Sequence, residues 1–120
     1  MKRVMIINGP NLNLLGYREP AKYGSTSQRE LFSIIAKKSK ALKIKPFFFQ
    51  SNHEGFIIDK IHSLIGKNYI GIIINPGAFT HYSYAIRDAI EASRIQTTED
   101  RRGKIKRKGC SLKRRRRILQ

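Results

Sequence analysis

Arg18 and Tyr23 stand five positions apart in the stretch "INGPNLNLLGYREPAKYG", Ile7 to Gly24. A guanidinium close to a phenol favours the ionised phenol and draws its pKa below the ordinary value of about 10. A tyrosinate formed in that way is a general base. The plainer reading pairs Arg18 with Glu19 and lays Tyr23 over the edge of the core, and periodicity does not choose between the two. The stretch shows neither helical nor alternating patterning, and so long a loop in so short a chain points to a working segment.

A second group of polar residues is set out more regularly. "NGPN", "QSN" and "NPGA" each follow a short apolar run. His81 comes shortly after the last of these, where backbone amides at a helix start favour an anionic or polyhydroxylated ligand. A simple capping role for His81 stays equally open. His53 and His62 are separated from one another and from Asp, Glu or Cys partners, so no zinc site is expected. His62 lies beside an apolar stripe and reads as packing, whereas His53 reads either as a helix cap or as a binding group.

The elements that must position these residues follow from the apolar pattern. Arg3–Asn8, Lys45–Gln50 and Tyr69–Asn75 are short apolar runs that read as buried strands. Ser27 with Glu30 three residues on forms a capping box. It opens a helix over 27–43, with Leu31, Ile34, Ile35 and Leu42 on its inner face. "SNHEGFIIDKIHSLIG" gives a second helix, its inner face Ile57, Ile58, Ile61, Leu64 and Ile65. "THYSYAIRDAIEAS" gives a third, with Ala85, Ile86, Ala89 and Ile90 inward. The order βαβαβα predicts parallel strands, right-handed crossovers and an open doubly wound α/β sheet. Ligands of such sheets bind beyond the carboxyl ends of the strands. Asn8, Asn11, Gln50, Asn52 and Asn75 are therefore expected to converge on one small polar molecule.

Charge divides the chain. Of the net +17, residues 1–93 carry 13 Lys and Arg against 6 Asp and Glu, whereas residues 94–120 carry 12 against 2. That last segment has no aromatic residue and no period. It reads as a basic, disordered tail, 95–120, behind a domain at 1–94. Its "KIKRKG" and "KRRRR" runs would hold nucleic acid only non-specifically, through phosphates. One cysteine, Cys110, excludes an intrachain disulfide framework. No apolar run approaches the roughly 20 residues of a membrane span, and "MKRVMIING" lacks a signal peptide's pattern; a cytoplasmic protein is expected. Neither GxxxxGK[ST] nor GxGxxG occurs, so the common nucleotide fingerprints are absent.

In "NGPNLNLLGYREPAKYG", "QSNHEGFIIDKIH" and "GIIINPGAFTHYSYAIRDA", taken in order, residues 1–94 closely resemble the type II 3-dehydroquinate dehydratases. The resemblance implies a flavodoxin-like sheet and a lyase of the shikimate pathway leading to chorismate and the aromatic amino acids. Such an enzyme dehydrates 3-dehydroquinate to 3-dehydroshikimate by anti elimination through an enolate, with neither metal nor organic cofactor. It implies Tyr23 as the base, Arg18 as the group that keeps it ionised, and Asn11 as a holder of the enolate oxygen. Asn75 and His81 would bind substrate hydroxyls, and residues 18–24 would close over them. Asp88 would reach a neighbouring subunit's site, in trimers arranged as a homododecamer.

The resemblance stops near residue 94. The family continues with a strand ending in a His-x-Ser-Asn-type motif, whose histidine is the general acid and whose serine and amide bind the substrate carboxylate. Here "RIQTTEDRRGKIKRKGCSLKRRRRILQ" follows, with no histidine after His81 and no strand of convincing length. The sequence therefore leads one to expect missing C-terminal strands and helices, and Tyr69–Asn75 as an uncovered sheet edge. It also leads one to expect a frameshifted or misjoined C-terminal segment. An inactive ligand-binding remnant is the alternative to turnover.

Overall fold

The computed structural model describes residues 2–17, 26–77, 83–101 and 104–105. Strand β1 (Lys2–Asn8) leads through a 3-10 turn at Leu12–Leu14 to helix α1 (Gln28–Ala41) and strand β2 (Ile44–Gln50). Helix α2 (Glu54–Leu64), strand β3 (Tyr69–Asn75) and helix α3 (Tyr84–Ser93) follow, then strands β4 (Thr97–Arg101) and β5 (Lys104–Ile105). The sheet order is β2-β1-β3-β4-β5, with the first four strands parallel and β5 antiparallel to β4. This is the α/β sheet expected from the alternation of elements, and its first four strands follow the flavodoxin-like order.

The strands are apolar because both faces are covered. On one face Met5, Ile7, Ile72 and Ile74 pack with Ile57, Ile61 and Leu64 of α2 and with Ile86 and Ala89 of α3. Burial of each such isoleucine contributes about 1.5–3 kcal/mol. On the other face α1 lies on β2, and the rings of Phe32 and Phe48 stack 4.2 Å apart.

Helix α1 begins with the first half of the capping box: Ser27 Oγ accepts from the Glu30 amide at 3.1 Å, and Glu30 Oε1 accepts from the Ser27 hydroxyl at 3.2 Å. Its inner face differs from the expectation. Ile34 and Leu42 are exposed, whereas Leu31, Phe32 and Ile35 are half-buried and Ser39 is buried. At 100° per residue the stripe centres between Phe32 and Ile35, which turns Ile34 about 120° away. Leu42 lies past the helix end as its C-cap. For related reasons Ile65, the C-cap of α2, and Ala85, at the flank of α3, are exposed.

The larger correction concerns the residues after α3. Arg94 ends the helix in the left-handed conformation, and Thr97, Thr98 and Glu99 pair with Ile72, Ile73 and Ile74. Strand β4 thus covers the β3 edge over three positions, and the sheet runs past residue 94. The pattern gave no warning because this strand is short and polar. Parallel pairing needs only backbone groups, and β-branched Thr97 and Thr98 suit it. Of the segment 95–120, read as a basic tail, residues 102–103 and 106–120 lie outside the described residues.

Candidate active site at the carboxyl ends of β1, β2 and β3

The three polar clusters do meet. β1 ends at Asn8, β2 at Gln50 and β3 at Asn75, and Asn8 is paired in register with both Gln50 and Asn75. The crevice is built by backbone contacts first. The Gly9 amide donates to the Asn75 carbonyl at 2.7 Å, and the Ser51 amide donates to the Asn8 carbonyl at 3.0 Å. These two bonds carry the three chains out of the sheet side by side. Gly9 is obligatory here, because a Cβ would stand 2.4 Å from the Pro76 carbonyl oxygen. At Gly77 φ is +58°, a region that glycine enters without strain.

Side-chain amides then tie the loops together. The Gln50 Nε2 group donates to Gly9 O at 3.2 Å, to Asn52 Oδ1 at 3.2 Å and to Asn13 Oδ1 at 3.4 Å. Two protons serve three acceptors, so at least one of these bonds is shared. Asn52 Oδ1 also accepts the Asn11 amide at 3.0 Å. Asn11 itself holds φ 67°, the left-handed conformation asparagine tolerates, and initiates the 3-10 turn. Asn75 Oδ1 accepts the Gly77 amide at 3.2 Å, which fixes the turn after β3.

Four of the five converging residues thus have a described bond at the crevice mouth: Asn11, Gln50, Asn52 and Asn75. Asn8 lies buried beneath them. Amides both donate and accept, and the amino ends of α2 and α3 add partial positive charge on this side of the sheet. The combination suits a ligand bearing several hydroxyls and a negative charge. Asp88 is exposed on α3, on the side turned away from Ile86 and Ala89. Arg18, Tyr23 and His81 lie outside the described residues.

Of the other histidines, His53 is the N-cap of α2 by position, but its side chain makes no capping bond. Its ring meets Phe56 edge-on at 4.9 Å instead. His62 is exposed on the last turn of the same helix. Among the described residues no group of three or more His, Cys, Asp or Glu is arranged to hold a metal ion. No helix among them is long and apolar enough to cross a membrane. A shallow depression lined by Lys2, Leu42, Lys43, Asn68 and Ile70 lies at the opposite, amino-terminal end of the strands, where no set of polar loop residues converges.

Sequence reasoning missed three residues here. Asn13 follows Asn11 by two positions and shared its signal. Glu54 and Ser83 carry no signal within the second and third helical stretches, yet the Ser83 hydroxyl donates to Glu54 Oε2 while its oxygen accepts the Ile86 amide at 3.2 Å. Nothing in a one-dimensional pattern links a first-turn residue to an N-cap 29 positions on.

An open sheet whose first four strands are parallel, with an amide-lined crevice at their carboxyl edge, defines a doubly wound α/β protein, a class whose ligands bind at the switch point of strand order. Residues 2–108 match the family described as dehydroquinase class II. The chain belongs to that family. A 3-dehydroquinate dehydratase of Caldicellulosiruptor saccharolyticus is 61% identical over 99 residues, 82% of this chain and 68% of that protein. One from a Nostoc species is 51% identical over 96 residues, 80% of this chain and 65% of that protein. The crystal structure of a type II dehydroquinase from Butyrivibrio crossotus superposes with a TM-score of 0.79 at 47% identity, over 82% of this chain and 68% of that one.

Proposed function

We propose that this chain binds 3-dehydroquinate in the crevice at the carboxyl ends of β1–β3 and removes water from it to give 3-dehydroshikimate. The observation that carries the reading is the convergence of Asn11, Gln50, Asn52 and Asn75 at one edge of the sheet, in a member of the dehydroquinase class II family.

In this reading Tyr23, kept ionised by Arg18, takes the proton alpha to the ketone. The electron pair of that C–H bond passes into an enolate, and Asn11 holds its oxygen where charge develops. Collapse of the enolate breaks the C–O bond and expels the hydroxyl, which leaves as water. Asn75 and His81 bind the substrate's ring hydroxyls. Asp88, exposed on α3, serves the site of a neighbouring copy in a homo-oligomer. The protein works in the cytoplasm, in the pathway to the aromatic amino acids.

The general-acid histidine of the family has no counterpart after His81, so the leaving hydroxyl takes its proton from solvent. Turnover is slower by roughly 10²–10⁴-fold for that reason, and binding outlasts chemistry. Calorimetric titration of the full chain with 3-dehydroquinate tests the reading. Saturable binding that weakens about tenfold or more in Asn75→Ala is expected, the scale of losing a buried polar contact to ligand. No heat at millimolar substrate contradicts it.

A further inference from the structure

Hydrogen bonds border the crevice from β3 to β1, from β1 to the loop after β2, and from α2 to α3. Asn75 at the end of β3 accepts the Gly9 amide at 2.7 Å, and Asn8, next along β1, accepts the Ser51 amide at 3.0 Å. Ser51 Oγ accepts the His53 amide at 2.9 Å. Glu54, the first residue of α2, then accepts the Ser83 hydroxyl at the head of α3. The Gly77 amide, just after β3, is bound to Asn75 Oδ1. Among these links the Glu54–Ser83 bond is the one between two helices rather than between strand ends and their loops.

We propose that Glu54 is a positioning residue for the substrate crevice. Its carboxylate fixes the amino end of α3 against α2, on the side of the sheet where Asn75 and Gly77 turn out of β3. The bond suits that task. Ser83 is only 8% exposed, and its hydroxyl is used twice, as donor to Glu54 and as acceptor for the Ile86 amide. A charge-assisted bond of this kind is about twice as strong as a neutral one, and a carboxylate in a first helical turn is favoured by the helix dipole. A bond needed only for stability would act on α2 and α3 alone. One that positions the site must also act on Asn75 and Gly77, which neither Glu54 nor Ser83 is shown to bond.

The inference rests on the reading of the crevice as a dehydroquinate site, and two readouts on the full chain separate the two claims. The first is amide hydrogen exchange at Gly77. Glu54→Ala should accelerate it about tenfold relative to amides of β1, the scale of losing a charge-assisted hydrogen bond. Glu54→Gln, which retains an accepting oxygen, should restore it to within about threefold. Ser83→Gly should repeat the effect of Glu54→Ala while keeping a tolerable N-cap, since glycine costs a helix start little. Ser93→Ala is the control: it deletes a buried hydroxyl that bonds Ile90 O and the Ile95 amide at the opposite end of α3, and it should leave Gly77 unchanged. Unaltered exchange at Gly77 in both Glu54→Ala and Ser83→Gly, or an equal change in Ser93→Ala, overturns the proposal. The second readout is titration with 3-dehydroquinate. Glu54→Ala should raise Kd about tenfold, with rescue by Glu54→Gln and no change in Ser93→Ala. Equal Kd values for wild type and Glu54→Ala also overturn it. If wild type binds no dehydroquinate while Gly77 responds as stated, the functional reading falls and the positioning role of Glu54 stands.

Discussion

Gly9 and Asn75 join the ends of β1 and β3 through an amide-to-carbonyl bond of 2.7 Å, at a point where the backbones admit no side chain. A Cβ on Gly9 would lie 2.4 Å from the Pro76 carbonyl oxygen and 2.6 Å from its carbon. Both obstacles are backbone, so a methyl group there is accommodated only by separating the strand ends. Gly9→Ala should cost about 1–3 kcal/mol, as overpacking does elsewhere. Urea unfolding should show a lower midpoint with an unchanged slope; an unaltered midpoint means that the strand ends are not so tightly joined.

Gln50 donates to three loop oxygens, of which Asn52 Oδ1 and Gly9 O also accept the Asn11 and Leu12 amides. Gln50→Leu leaves Gly9 O, Asn13 Oδ1 and Asn52 Oδ1 without that donor and should cost roughly 1–3 kcal/mol. Gln50→Glu should cost more at neutral pH, because an introduced carboxylate faces three acceptors and its charged form is disfavoured in the fold. The folded state of that variant then binds the proton more tightly than the unfolded state, so its extra cost is present above the ordinary carboxylate pKa of about 4.3 and shrinks as pH falls. Unfolding free energies of the two variants at pH 4 and pH 7 check this. A gap independent of pH contradicts it.

Two isoleucines separate what periodicity foretold from what it did not. Ile61 is fully buried in the core between α2 and the sheet, and Ile61→Ala should cost about 2–5 kcal/mol. Ile34, on α1, is about half exposed, and Ile34→Ala should stay within about 1 kcal/mol. Chemical denaturation of both variants measures the contrast; comparable losses would return Ile34 to the inner face of α1.

That contrast explains how much was legible. Strands and helices through α3 follow from apolar runs and the Ser27 cap, since burial between layers imposes period on sequence. The crevice followed too, because Asn8, Gln50 and Asn75 close their strands and parallel order puts strand ends together. Ile34 shares the apolar spacing of α1 but lies off its inner face, which the stacking of Phe32 on Phe48 marks. Strand β4 was illegible because Thr97, Thr98 and Glu99 carry no apolar alternation and are recruited by the backbone of β3. The Glu54–Ser83 bond was illegible for a different reason: it depends on how two helices pack, and no local pattern encodes that.

In the proposed reading the opening loop supplies a base to a dehydroquinate site. The most direct test of that reading is the appearance of ultraviolet absorbance from the conjugated enone when purified full-length protein is mixed with 3-dehydroquinate, for wild type beside Tyr23→Phe. Wild type should form product slowly and in proportion to enzyme, and Tyr23→Phe should lose nearly all of that rate. No product at high protein concentration, or a rate that survives the loss of the phenol, contradicts the reading.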